Sequence, residues 1–259
     1  MKSPDLFNRI NLARLKALSR VGAMLHGFTT VNQARLEVVD FCCATSSHNN
    51  YAKATHVPNV VPFPDQLPRY LVSAKKALYV GRLDQEKLPT LKVFVALCRE
   101  WKIPFDIVGS FAPQRAVNAF KATLPPESLL GVLDTREFLL EHGHKYLFIG
   151  GVGQVPLEAA AANLPALIVA HKPEEKDRSV FLSAENLTTL LDWNCVLRRI
   201  PQELLTPNRE AFFAAVEKAR KENTLAPLAP YRLREALEEV HSAEKIYRRY
   251  YQALLGKAL

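Results

Sequence analysis

From residue 77 onward, short runs that are apolar throughout alternate with longer stretches in which apolar positions recur every three or four residues. The runs "ALYVG" (77–81), "PFDIVGS" (104–110), "SLLGVLD" (128–134), "KYLFIG" (145–150) and "PALIVA" (165–170) read as strands. Between them, "PTLKVFVALCREWK" (89–102) places Leu91, Phe94, Val95, Cys98 and Trp101 on one helical face. "APQRAVNAFKATL" (112–124) reads as a helix opened by Pro113, "TREFLLEHG" (135–143) as a short helix with Thr135 as N-cap, and "PLEAAAAN" (156–163) as another helix. Fully apolar strands alternating with amphipathic helices predict an α/β fold, a parallel sheet covered by helices on both faces.

The two ends are patterned differently. "NREAFFAAVEKARKEN" (208–223) is an amphipathic helix, "LAPLAPY" (225–231) a proline-bearing linker, and residues 232–259 read as helix to the end, with a break near Ser242. Upstream come a helix near residues 6–20, a strand "GFTTVN" (27–32) and a helix "ARLEVVDFC" (34–42). The stretch 46–68, rich in Asn, Ser and Pro, reads as loop and linker.

Composition narrows the class. The 259 residues are 48% hydrophobic and 23% charged, an ordinary globular balance that excludes wholesale disorder. The net charge of +8 suits phosphorylated ligands, an anionic lipid surface or nucleic acid, or simply a solvated basic exterior. No nucleic-acid-binding motif accompanies it. Cys42, Cys43, Cys98 and Cys195 form neither a C-x-x-C pair nor a zinc-spaced cluster, so reduced, mostly buried thiols of a cytosolic protein are expected, with no metal. The N-terminus lacks the apolar core of a signal peptide, and no run approaches the ~20 apolar residues of a membrane span. The expected location is cytoplasmic, with peripheral contact at the inner membrane face as the alternative.

The chemistry concentrates in two turns. After the strand 145–150 come Gly150, Gly151, Val152 and Gly153, then a short helix with Pro156 in its first turn, Asn163 where it must stop, and Pro165 beyond. A helix N-terminus behind a glycine turn at the carboxyl edge of a sheet offers N–H groups to an anion. Glu158 is read in the first turn of that helix. Either it complements the helix dipole, or its carboxylate accepts hydrogen bonds from vicinal hydroxyls such as those of a ribose. A dinucleotide fingerprint fits poorly, since Pro156 stands where the third glycine belongs. The second turn, "YVGRLDQEK" (79–87), carries Gly81, Arg82 and Lys87. An arginine fork and a lysine point charge opposite a glycine turn suggest a diphosphate held without a metal.

"YVGRLDQEK", "FDIVGS" and "GGVGQVPLEAAAANLPALIV", in this order, resemble the C-terminal, donor-binding domain of glycosyltransferase family 4, the retaining enzymes of the GT-B fold. "TTVNQARLEVVDF" and "HVPNVVPF" resemble the end of the family's N-terminal domain and the linker after it, and "SAEKIYRRYYQALL" its last helix; the match spans roughly residues 28–255. The resemblance implies a GT-B-type Rossmann-like sheet with an incomplete N-terminal domain: residues 1–66 a remnant plus linker, 67–228 the nucleotide-sugar domain, 229–259 a helical segment. It implies that Arg82 and Lys87 neutralise the leaving nucleoside diphosphate and that Glu158 binds the donor ribose. Gly81, Gly150, Gly151, Gly153, Gln154 and Val155 would line the phosphates and sugar, and Val132 and Leu133 would lie beside the base. The implied activity is metal-independent transfer of a sugar from a nucleoside-diphosphate sugar to a glycan or lipid-linked acceptor in surface polysaccharide synthesis.

Two departures stand out. Where many family members carry the first glutamate of an E-x7-E pattern, this chain has Gly150. Residues 1–66 are also too few for a complete N-terminal α/β domain. Three readings stay open: a fragment, a chain whose partner supplies the acceptor half, or a protein that has lost catalysis and kept nucleotide-sugar binding. A GT-B sugar-nucleotide epimerase is a further alternative. Of the remaining residues, His142 and His144 read as solvent-facing histidines in a turn rather than a metal pair. His171 sits at the ligand edge, before a charged loop "HKPEEKDR" (171–178). The basic, aromatic tail reads as a packing helix or a membrane-surface contact.

Overall fold

The computed structural model describes residues 29–30, 55–56, 61, 63–171, 178–192, 195, 200, 206–242, 244–246 and 248. Strands β1 (Thr29–Thr30) and β2 (Thr55–His56) pair in parallel, so the stretch read as loop contains a short strand. The helices expected over 6–20 and 34–42 and the end of the C-terminal helix lie outside the described residues.

The main sheet is built from β3 (Lys76–Val80), β4 (Phe105–Val108), β5 (Leu129–Gly131), β6 (Tyr146–Gly151), β7 (Ala166–Ala170) and β8 (Arg178–Phe181). Their order is β5-β4-β3-β6-β7-β8. The central strands β6 and β7 are buried at every position, because helices cover both faces and leave no side for polar residues. Helices α1 (Leu88–Glu100), α2 (Arg115–Lys121), α3 (Thr135–His142) and α4 (Gln154–Ala161) connect successive parallel strands. The last strand departs from the expected all-parallel sheet: β8 runs antiparallel to β7. The segment 171–177 between them is far shorter than the dozen residues a parallel crossover needs, so the chain can only turn back.

One helical face of the sheet is an aromatic layer. Phe94 of α1 packs edge-on to Phe148 of β6 at 6.4 Å, and Phe212 of α6 (Arg209–Glu222) lies 6.2 Å from the same ring and stacks on Phe181 at 3.7 Å. Leu91, Phe94, Val95 and Cys98 are buried as their spacing requires, and Trp101 is partly buried, packed edge-on to Phe213 of α6 at 5.2 Å. Right-handed crossovers send α3 and α4 to the other face, where α7 (Arg234–His241) packs on α4.

Several element ends differ from expectation for identifiable reasons. Helix α2 starts at Arg115, not at Pro113, because Ala112 donates to Leu83 O (3.1 Å) and the Gln114 side chain accepts from Gln85 N (2.8 Å), which keeps Gln114 extended. The linker read over 225–231 is a 3-10 helix (Ala226–Tyr231) that buries Leu228 and Tyr231. Ser242 is extended and ends α7, which is the break expected there. Three short elements, α5 (Leu187–Asp192) and the 3-10 turns Pro126–Ser128 and Gly143–Lys145, complete the order among the described residues.

Candidate functional site

The strand order reverses between β3 and β6: from β3 the chain moves outward through β4 and β5, then returns to β6 and moves the other way. The connections leaving β3 and β6 therefore part to opposite faces, and a crevice opens beyond their carboxyl ends. The two glycine turns flank this crevice. Register pairing of Tyr79 with Gly150 sets them side by side.

The turn after β3 is fastened down by its neighbour. Gly81 N donates to Val108 O (3.1 Å), Leu83 N to Ser110 O (3.0 Å), and Lys87 N to the Asp84 carboxylate (2.9 Å). Gly109, with φ at +153°, admits this close approach, since a Cβ there would stand 1.9 Å from Gly81 O. On this fixed loop Arg82 is exposed, and among the described residues its guanidinium has no hydrogen bond or ion pair. Lys87 is mostly buried, and its Nζ pairs with Glu86 at 3.0 Å.

The turn after β6 looks different in space from its sequence. A Cβ at Gly150 would lie 2.4 Å from the Phe94 ring, and one at Gly151 would lie 2.7 Å from Val155 and 3.2 Å from Val80 O. Both glycines are thus demanded by packing. Gly153 is the conformational one: it caps α4 with φ of +67° and open space on its Cβ side. Its N–H, expected to face an anion, is engaged by Cys195 O (3.2 Å). Gln154 and Val155 open α4, and Pro156 follows as its third residue without an N–H to offer. The end of α4 is therefore poorer in donors than the sequence suggests. At its other end Asn163 adopts φ of +59°, with Asn163 N bonded to Ala160 O and Leu164 N to Ala159 O, both 2.9 Å, the Schellman closure its position predicted.

Glu158 falls in the second turn of α4, not the first, because the helix begins at Gln154, two residues before the expected start. Dipole complementarity fades beyond the first turn and does not account for it. Its carboxylate is half-buried in a cavity of about 220 Å³ lined by Pro64, Asp134, Thr135, Arg136, Leu139, Leu140 and Ala162. Among the described residues no hydrogen bond or ion pair engages it. Burial raises its pKa above the ordinary carboxylate range, and the nearby Asp134 carboxylate adds to the rise.

Asp134 was legible but missed. It, rather than Thr135, is the N-cap of α3, accepting from Glu137 N at 3.0 Å, because Thr135 already has helical position. The D-x-x-E spacing of Asp134 and Glu137 was the available signal. Immediately before it, Val132 and Leu133 are 73% and 40% exposed, unusual for large apolar side chains at a strand edge. His142 packs edge-on to Phe138 at 4.9 Å. Among the described residues no three His, Cys, Asp or Glu side chains gather as metal ligands, and no helix is long and apolar enough to cross a membrane. Cys98 and Cys195 are buried free thiols.

The fold is shared with solved structures at low identity. TarM from S. aureus, a mutant in complex with fondaparinux, alpha-GlcNAc-glycerol and UDP, aligns at 16% identity and a TM-score of 0.52 over 88% of this chain and 44% of TarM. The GtfA/B complex aligns at 14% identity (TM-score 0.47, 89% of this chain, 45% of that one). The apo form of WaaB, a lipopolysaccharide outer core galactosyltransferase, aligns at 12% (TM-score 0.47, 90% and 62%). The chain thus spans less than two thirds of each. No protein-family model matches the sequence. No curated protein matches it either. The six-stranded, mostly parallel sheet between helical layers is the GT-B Rossmann-like architecture of TarM.

Proposed function

We propose that this chain forms the nucleotide-sugar-binding half of a glycosyltransferase. The observation that carries the reading is Glu158, a half-buried carboxylate without a described cation partner, facing a cavity that α4 shares with α3. The fold gains nothing from ionising it there, and a ribose diol would supply the two hydrogen bonds it lacks. Val132 and Leu133, exposed next to Asp134, offer an apolar surface to the base. Arg82, without a partner among the described residues, sits on a fastened loop at the switch point and takes the diphosphate, and Lys87 joins it by exchanging Glu86 for a phosphate oxygen. As the bond between the sugar carbon and the diphosphate breaks, negative charge grows on the leaving group, and fixed cations stabilise it most where it develops. In this reading the two cations do the work of a metal. Membership of glycosyltransferase family 4, retention of configuration, a glycan or lipid-linked acceptor in surface polysaccharide synthesis, and a cytoplasmic setting at the membrane face are supported by the sequence resemblance alone.

A second reading, supported by the sequence resemblance, is a nucleotide-sugar-binding subunit that turns over only with a partner carrying the acceptor half. Calorimetric titration of the chain with UDP, GDP, ADP and CMP, with EDTA present, tests the shared premise. Saturable binding of one nucleotide, weakened by both Arg82→Ala and Glu158→Ala, is the expected result. A folded chain that binds none of them overturns the donor site. Turnover of the matching nucleotide sugar by the chain alone then separates the enzyme from the subunit.

A further inference from the structure

Arg232, between the 3-10 helix and α7, and Arg234, the first residue of α7, have parallel tasks. Arg234 Nη1 donates to Ala161 O at 2.9 Å, and its guanidinium lies 5.5 Å from the Phe63 ring centroid. Arg232 Nε donates to Asn163 O at 3.4 Å, and its guanidinium lies 6.0 Å from the Tyr70 ring centroid. Each arginine therefore ties a carbonyl at the C-terminal end of α4 to an aromatic ring of the segment 63–74. That segment is held at its far end as well: Tyr70 donates to Leu147 O (2.9 Å), and Arg220 of α6 donates to Val72 O (2.9 Å) and Ala74 O (2.8 Å). Pro64, next to Phe63, lines the Glu158 cavity together with Glu158 of α4 and Ala162.

We propose that Arg234, assisted by Arg232, is a positioning residue: it latches the segment 63–74 against the end of α4 and so sets the width and dryness of the cavity that holds Glu158. The assignment rests on the donor-site reading for its purpose, but not for its geometry. Guanidinium suits the task because one plane satisfies a carbonyl at its edge while its face lies on a ring. Only 19% of the Arg234 side chain is exposed, and its Nε also lies 3.9 Å from Glu238, which fixes the plane from a third direction. Without the latch the Phe63 ring loses its guanidinium tie to α4, the neighbouring Pro64 is held less closely, and water reaches Glu158.

The test reads Glu158 directly, without a nucleotide. The side-chain carboxyl carbon of Glu158 is followed by NMR through a pH titration in the wild type, Arg234→Ala and Arg234→Lys, with folding of each checked by urea unfolding. The charged groups lining the cavity beside Glu158 are Asp134 and Arg136, and neither is altered. Opening the cavity lowers the Glu158 pKa toward the ordinary glutamate range. Loss of a nearby positive charge, by contrast, would raise it, so the sign separates the latch from simple electrostatics. Arg234→Lys keeps the charge and the stem but not the planar fork, and it keeps the test alive if the alanine variant folds poorly. The expected result is a downward shift in both variants, accompanied by roughly tenfold weaker binding of whichever nucleotide the wild type takes, the loss of about one charge-assisted hydrogen bond. An unmoved or raised Glu158 titration in a folded Arg234→Lys chain overturns the latch, even if nucleotide binding is intact. A downward shift in a chain that binds no nucleotide supports the latch and refutes the donor site instead.

Discussion

Replacing Gly109 by alanine tests whether the carboxyl edge of the sheet is shaped by backbone contact rather than by a ligand. The new Cβ would lie 1.9 Å from Gly81 O, so that carbonyl must retreat by more than an ångström before any ordinary contact is reached. Retreat disturbs two hydrogen bonds, Gly81 N to Val108 O (3.1 Å) and Gly109 N to Gly131 O (2.8 Å), each worth about 1 kcal/mol. The positive φ adds about 1–3 kcal/mol of strain for a side-chain-bearing residue. The total, about 3–5 kcal/mol, is a large part of the 5–15 kcal/mol that typically holds a domain together. Two companions separate the causes. Gly150→Ala has an ordinary φ but meets the buried Phe94 ring at 2.4 Å, and overpacking there costs about 1–3 kcal/mol. Gly131→Ala has φ of +79° and nothing within 4 Å, so only the conformational cost of about 1–2 kcal/mol remains. Urea unfolding with a common m-value ranks the three. A Gly109→Ala midpoint indistinguishable from wild type, or a larger loss for Gly131→Ala than for Gly109→Ala, would refute the reasoning.

Other outcomes can be checked with the same material. Glu158→Gln should weaken nucleotide binding by roughly ten- to a hundredfold, as expected for a charge-assisted hydrogen-bond pair of about 1.5–3 kcal/mol, measured by calorimetry. The same variant should raise the thermal midpoint at neutral pH and not at acid pH, because a raised carboxylate pKa stabilises the fold only while the group is protonated and that contribution is lost as pH rises through it. Nucleotide affinity of the wild type should fall on acidification at a higher pH than an ordinary glutamate would dictate. Arg82→Ala should weaken a nucleoside diphosphate and leave the nucleoside alone unchanged; equal loss for both would remove Arg82 from the phosphates. Asp134→Ala should cost about 1 kcal/mol through the lost cap of α3 and shift the Glu158 titration downward, by removing a like charge.

Local rules written into single residues were legible. The face Leu91–Phe94–Val95–Cys98, the left-handed stop at Asn163 and the break at Ser242 depend on neighbours within one or two turns, and each stands where its spacing placed it. Effects that depend on distant chain were not. Nothing near Gly150 announces that the ring of Phe94, from helix α1, occupies the space a side chain there would need. Nothing near Gly153 announces that Cys195 takes its N–H. "RSVF" is too short to declare β8, and its direction follows from a connection length rather than from composition. The position of Glu158 slipped by a turn because Gln154 and Val155 join the helix ahead of Pro156, a choice set by the glycine cap at φ of +67°. The contacts of Arg232 and Arg234 depend on the segment 63–74, which is distant in the chain.

The reversal of strand order between β3 and β6 has an implication for divergence. A crevice made by the parting of two connections belongs to the chain's route, not to any side chain that lines it. Nearly every residue around it is open to replacement while the opening persists, provided the few contacts that fix the route, such as Gly109 under Gly81, are kept. A fold shared with TarM at 16% identity is what such a division of labour permits: the chain's route is common to the two while most of the side chains along it differ.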